Sequence, residues 1–149
     1  MSWIKEKPYD YTWFESICIK LLRCGSIPKH VAFIMDGNRR YAERLGIDKI
    51  QGHSQGFEKL AQTLQWCHDL GISEVTVYAF SIENFKRPQA EVDALLKLAQ
   101  DKFERLIQEK DQLAEHGVRV NVIGNLGLLP TDLQLLVEKA TNLTKHNQK

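Results

Sequence analysis

The spacing of apolar residues along this chain changes period several times, and each change marks an element. Trp13, Phe14, Ile17, Cys18, Leu21 and Leu22 recur at helical spacing on one face. Thr12-x-x-Glu15 forms a capping box ahead of them, Arg23 stands in the last turn and Gly25 ends the segment. Val31 to Met35 is an unbroken apolar run, as expected of a strand buried on both faces. A short helical segment follows around Tyr41 to Leu45. A longer helix is predicted from about Ser54 to Leu70, with Phe57, Leu60, Ala61, Leu64 and Cys67 inward and Gly71 as its C-cap. Glu74 to Phe80 predicts a second strand, "SIENFKRP" a loop, and Pro88 opens the next element. From Glu91 to His116 the stripe Val92, Leu95, Leu96, Ala99, Phe103, Leu106 and Ile107 predicts one long helix, stopped at Gly117. Val118 to Ile123 predicts a third strand. Thr131-x-x-Gln134 caps a last helix that runs to about Leu143.

After an N-terminal amphipathic segment over residues 1–28, the order is β-α-β-α-β-α across 29–149. That alternation predicts an α/β fold: a parallel sheet with helices on both faces, joined by right-handed crossovers. Three strands are fewer than such a sheet normally holds. A polar "TKHNQK" follows the last helix, so the domain is expected to be cut short after the third strand. The stripe from Trp13 to Leu22 has two readings. It docks on the rest of the protein, or it lies on a membrane surface or against a partner.

Composition narrows the field. With 149 residues, 43% of them apolar, the chain can build one domain with a core. Its formal net charge of +1 gives no global case for nucleic acid or acidic membranes. No run approaches the roughly 18–20 apolar residues of a membrane span. No signal-peptide pattern is visible at the start. Cys18, Cys24 and Cys67 have no Cys-x-x-Cys spacing, which points to reduced thiols in a cytosolic setting. Asn142-Leu143-Thr144 is a formal glycosylation sequon that such a setting leaves unused.

Charge concentrates at the strand ends, where open α/β sheets bind ligands. "DGNRR" follows the first strand, "SIENFKR" follows the second, and "QGHSQG" lies in the approach to the helix between them. Gly37 allows close backbone approach, and free N–H groups at the next helix start favour an anion. Arg39, Arg40 and Arg87 bring forked donors suited to phosphate oxygens. Asp36, the one carboxylate in its loop, reads as a Mg²⁺ ligand sharing the ion with phosphates. Ser81 and Asn84 offer neutral hydrogen bonds, and His53 can donate or transfer a proton. Each piece alone has a bland reading: a turn, a structural histidine, a solvated helix face. The conjunction carries the argument. No Gly-x-x-x-x-Gly-Lys-Ser/Thr loop, Gly-x-Gly-x-x-Gly or Asp-Asp-x-x-Asp motif is present, which argues against a P-loop enzyme, a dinucleotide site and an all-helical trans-prenyltransferase.

"HVAFIMDGNRRYA", "GHSQGF" and "VTVYAFSIENFKRP" resemble the successive signature regions of the cis-prenyltransferase (undecaprenyl diphosphate synthase-like) family. The likeness extends to "MSWIKE" and "CGSIPKH" and so covers nearly the whole chain. It implies a transferase that condenses isopentenyl diphosphate with an allylic diphosphate such as farnesyl diphosphate. The product would be a long-chain dehydrodolichyl-type polyprenyl diphosphate for dolichol synthesis and protein glycosylation. By the same resemblance, Asp36 is the Mg²⁺-linked carboxylate, and Asn84 and His53 join it as catalytic residues. Gly37, Asn38, Arg39, Arg40, His53, Ser81, Asn84, Phe85 and Arg87 bind substrate. Lys49 stands where the family often has an arginine, keeping the charge but losing the fork. The resemblance further implies a homologous non-catalytic subunit of the Nogo-B receptor type and peripheral contact with the cytosolic face of the endoplasmic reticulum. An arginine- and serine-bearing isopentenyl diphosphate motif and a further acidic metal ligand, which the family carries later, have no counterpart after Leu143. The competing expectation is a short form that binds a partner or a diphosphate without turnover.

Overall fold

A computed structural model describes residues 11–147, which fall into two compact units, 11–84 and 85–147. The "MSWIKE" stretch lies outside the described residues.

The first unit opens with helix α1, Trp13–Arg23. Its capping box forms as the sequence predicts. The Thr12 hydroxyl accepts from the Glu15 N–H, and the Glu15 carboxylate accepts from the Thr12 N–H at 2.8 Å. The Thr12 N–H first, and the Thr12 hydroxyl second, donate to the Glu15 carboxylate and hold its pKa below the ordinary range. The apolar face of α1 is not buried: Trp13 is 76% exposed and Leu21 72%. The helix is tied near α3 by the Tyr11 hydroxyl, which donates to Asp69.

Strands β1, His30–Ile34, and β2, Glu74–Tyr78, pair in parallel, with Val31 opposite Val75 and Ile34 opposite Tyr78. Both are shorter at their C-terminal ends than the apolar runs suggest, although the Met35 N–H still reaches the Tyr78 carbonyl at 3.1 Å. Burial on both faces is not observed. Val31, Phe33, Val75 and Val77 are half-buried on one face, while Ile34 and Tyr78 on the other are 77% and 59% exposed. Apolar residues on both sides of a strand show that both faces can be covered; the cover itself comes from other elements.

Helix α2 spans Asn38–Leu45, starting three residues before the predicted segment, and helix α3 spans Lys49–Leu70. The "QGHSQG" stretch, expected as a connection, therefore lies inside α3. Two causes are visible. The Asp48 carboxylate caps the helix by accepting from the Ile50 N–H at 2.7 Å, which sets the start earlier. Gly52 and Gly56, one turn apart, face α2. A Cβ at Gly52 would stand 2.6 Å from the Asn38 carbonyl oxygen and 2.8 Å from Ala42 Cβ. At Gly56 it would stand 2.8 Å from Asn38 Cγ. The glycines permit close helix packing and do not break the helix. Leu60, Ala61 and Cys67 of the predicted inner stripe are buried, and Phe57 and Leu64 are half-buried. Burial pushes the Cys67 thiol pKa up.

In the second unit the predicted long helix is two: α4, Gln89–Gln108, and α5, Lys110–Glu115. The chain leaves helical geometry at Glu109, whose carboxylate accepts from Arg105 Nε at 2.6 Å. Leu106, Leu113 and Ala140 form the buried core here, with Phe103, Ile107, Val118 and Val120 packed on it. Val118 to Ile123 is not a strand; among the described residues the sheet has two strands. Side chains satisfy its backbone where a neighbouring strand would. The Val120 N–H donates to Thr144 Oγ1 at 3.0 Å, and Asn147 Nδ2 donates to the Val118 carbonyl at 2.6 Å. A strand exists only with a partner, so periodicity without one leaves an unpaired segment. Helix α6 spans Thr131–Thr144, but Pro130 is its N-cap and the Thr131 box does not form. Gln134 instead turns back and donates to the Leu129 carbonyl at 2.7 Å.

Candidate active site

Parallel pairing places the C-terminal ends of β1 and β2 side by side; Asp36 follows β1 after Met35, and Ser81 follows β2 after Ala79 and Phe80. After β1 the chain reverses at Gly37, whose φ of 87° makes it the α2 N-cap; this left-handed conformation favours glycine. The Asp36 carboxylate is fixed from both sides. Oδ1 accepts from the Gly37 N–H at 2.6 Å and Oδ2 from Arg40 Nη2 at 3.1 Å. Both side chains remain more than three-quarters exposed, so the ion pair itself contributes about 0–1 kcal/mol. Its value is geometric: it presents a carboxylate and a guanidinium together at a helix N-terminus. Arg39 is exposed one residue earlier. Asn38 lies against the glycine face of α3, and so the depth of the whole loop is set by Gly52 and Gly56.

His53 and Lys49 are carried on α3, His53 half-buried and Lys49 exposed in the first turn. Beyond β2, Ser81 and Asn84 close on each other. The Ser81 N–H donates to Asn84 Oδ1 at 2.7 Å, and the Asn84 N–H donates to the Ser81 carbonyl at 2.9 Å. That pair starts a 3₁₀ turn, Ile82–Lys86, where a plain loop was expected. The Asn84 amide oxygen is thereby engaged locally, which leaves its NH₂ as the group able to donate to a ligand.

Phe85 and Arg87 belong to the second unit. Phe85 is 39% exposed. Arg87 Nη1 donates to Glu91 Oε1 at 3.0 Å, and the Glu91 side chain is only 8% exposed. Sequence reading singled out Arg87 and passed over Glu91, although their spacing of four across a helix start was visible.

Among the described residues no group of three or more His, Cys, Asp or Glu side chains gathers to hold a metal ion. A single exposed carboxylate suits Mg²⁺, which takes one or two carboxylates and completes its shell with phosphate oxygens and water. Each Asp36 oxygen accepts one protein hydrogen bond and keeps a lone pair for such an ion.

An Asp-Gly-Asn-Arg-Arg turn and a Ser-x-x-Asn turn thus stand at neighbouring parallel strand ends of an α/β protein. This chain belongs to the undecaprenyl diphosphate synthase (cis-prenyltransferase) family, whose sequence profile matches residues 34–149. It is 56% identical over its whole length to the human dehydrodolichyl diphosphate synthase complex subunit DHDDS, covering 44% of that protein. It is 49% identical over 135 residues to the tritrans,polycis-undecaprenyl-diphosphate synthase (geranylgeranyl-diphosphate specific) of Pyrococcus horikoshii, covering 91% of this chain and 51% of that one. Among solved structures, lavandulyl diphosphate synthase from Lavandula x intermedia, in complex with dimethylallyl diphosphate, matches 81% of this chain with a TM-score of 0.74 and 30% identity. That match covers 51% of the lavender chain. The chain thus spans about half the length of the relatives it matches.

Proposed function

We propose that this chain supplies the allylic-diphosphate half of a cis-prenyltransferase site that extends a farnesyl-type diphosphate with isopentenyl diphosphate, toward dehydrodolichyl diphosphate for dolichol synthesis. The observation that carries the reading is the Asp36–Gly37–Arg40 arrangement at the C-terminal end of β1, beside the Ser81–Asn84 turn.

The chemistry follows from charge. Breaking the allylic C–O bond leaves the bonding electrons on the diphosphate, so the site must stabilise a growing negative charge. Arg39, Arg40 and the N-terminus of α2 do so directly, and the family resemblance adds Arg87 as a further phosphate-binding cation. Asp36 would hold Mg²⁺ against the phosphates, where the ion neutralises leaving-group charge. The isopentenyl double bond attacks the allylic carbon, and a proton then leaves the new chain. His53 brings an imidazole, the side-chain type best able to transfer a proton, and the Asn84 amide donates to a phosphate or to the incoming substrate.

The human relative is named as a subunit of a complex. A homologous non-catalytic subunit of the Nogo-B receptor type is the proposed partner. The proposed place of action is the cytosolic face of the endoplasmic reticulum. The proposed contact is peripheral, through the exposed apolar face of α1; no helix among the described residues is long and apolar enough to cross a membrane.

The test is incorporation of labelled isopentenyl diphosphate by the whole protein with its partner subunit, and by this 149-residue chain alone. Asp36→Ala should lower turnover by about 10³-fold or more. Undiminished product at saturating Mg²⁺ would remove Asp36 from the mechanism. Diphosphate binding by the isolated chain without elongation is the outcome expected of a binding form.

A further inference from the structure

The carboxylate of Glu91 has no place in the chemistry above, yet it is one of the few charged side chains withdrawn from solvent. Acidic residues are rarely buried unless paired. Its partner is Arg87: Nη1 donates to Glu91 Oε1 at 3.0 Å, and the arginine is only 22% exposed while the glutamate is 8% exposed. The placement is specific. Arg87 stands just ahead of α4, separated from it by Pro88, and Glu91 lies in the first turn. A cation at a helix N-terminus meets the positive end of the backbone dipole, whereas a carboxylate there is favoured. Glu91 therefore neutralises a location that would otherwise repel the arginine. It also takes one N–H of the guanidinium, and because that group is planar and rigid, one bond fixes the direction of the whole fork. Pro88 adds a stiff link between the arginine and the helix.

We propose that Glu91 is a positioning residue: it aims Arg87 so that the remaining donors of the fork meet the allylic diphosphate already oriented. This inference rests on the reading of Arg87 as a diphosphate ligand. Without Glu91 the arginine keeps its charge but samples other rotamers, and binding the diphosphate must then order it. The consequence falls on substrate affinity through Arg87.

The experiment is a double-mutant cycle in the whole protein with its partner subunit. It uses Glu91→Ala, Glu91→Gln, Arg87→Ala and the pair Arg87→Ala/Glu91→Ala. The readouts are steady-state KM for farnesyl diphosphate, kcat, direct titration of farnesyl diphosphate without isopentenyl diphosphate, and the melting temperature. Glu91→Ala should raise KM and Kd about tenfold, with a smaller change in kcat. Glu91→Gln should recover part of that loss, since its amide oxygen can still accept from Nη1. In the Arg87→Ala background, Glu91→Ala should cost nothing further in affinity. An equal loss of affinity in both backgrounds would overturn the proposal by showing that Glu91 acts directly or only through stability. So would a loss that tracks the melting temperature in every variant. If Arg87→Ala itself leaves KM and Kd unchanged, the assignment of Arg87 to the diphosphate fails first, and the Glu91 proposal falls with it.

Discussion

Gly52 is the position where one methyl group should do most damage to both fold and site. An alanine Cβ there would meet the Asn38 carbonyl oxygen at 2.6 Å and Ala42 Cβ at 2.8 Å, distances that carbon atoms do not adopt in proteins. Both obstacles belong to α2, and neither is a flexible side-chain end that can swing aside. Ala42 is fully buried. Relief requires α2 to move away from α3 by roughly half an ångström or more, in a region packed at protein density. Overpacking of this kind costs about 1–3 kcal/mol. Against it stands the ordinary gain of alanine over glycine inside a helix, about 0.5–1 kcal/mol. The balance is a net loss of up to about 2.5 kcal/mol, or up to about 10 °C in melting temperature for a domain of this size. The functional loss should be larger, because Asn38, Arg39 and Arg40 ride on α2. A misplacement near 1 Å in a site that works by positioning costs about 10²-fold. Thermal unfolding and kcat/KM for the allylic substrate, measured on Gly52→Ala in the whole protein, check both parts. Gly25→Ala is the control, because its Cβ would meet only the Leu22 carbonyl oxygen at 3.5 Å and should be near neutral. A Gly52→Ala protein as stable as the parent, or more so, would refute the argument that helix approach dictates this glycine.

Three further outcomes are expected. Trp13→Ser with Phe14→Ser should release the protein from liposomes in flotation while leaving its melting temperature unchanged, because both side chains are more than half exposed; lost stability with unaltered flotation would instead make α1 a packing element. Thr144→Val should cost about 1–3 kcal/mol by denaturant unfolding, since a residue 1% exposed accepts through its hydroxyl from the Val120 N–H, and valine leaves that donor without this bond. Lowering pH through the Glu15 carboxyl pKa should weaken α1. That pKa lies below its unfolded value, so the contribution is present above the unfolded pKa and disappears as pH falls through the folded one; Thr12→Ala should reduce but not abolish this dependence in far-ultraviolet circular dichroism, because the larger bond, from the residue-12 N–H, survives.

What the sequence determined by itself was local. Thr12-x-x-Glu15 names a helix start because both bonds of the box lie within one turn, and that start is found. Gly37 and Gly71 mark reversals because their backbone conformation is left-handed whatever surrounds them. The succession of strand, charged turn and helix placed Asp36, Arg40, Ser81 and Asn84 at strand ends for the same reason: each depends on a few neighbouring residues. Tertiary structure decided the remainder, because it depends on partners distant in sequence. Gly52 and Gly56 read as a connection until α2 is seen against them, since glycine inside a helix is locally unfavourable and only a close neighbour makes it the better choice. Val118 to Ile123 has the pattern of a strand but no strand beside it, and its backbone bonds go to Thr144 and Asn147 instead. The run Val31 to Ile34 in β1 is apolar on both sides, but periodicity shows which residues can be covered and packing alone shows which are. Arg87 stood out in the sequence as a candidate phosphate ligand from its charge; that a buried Glu91 holds it needed the coordinates, because a charge pair at helical spacing is usually a solvated one.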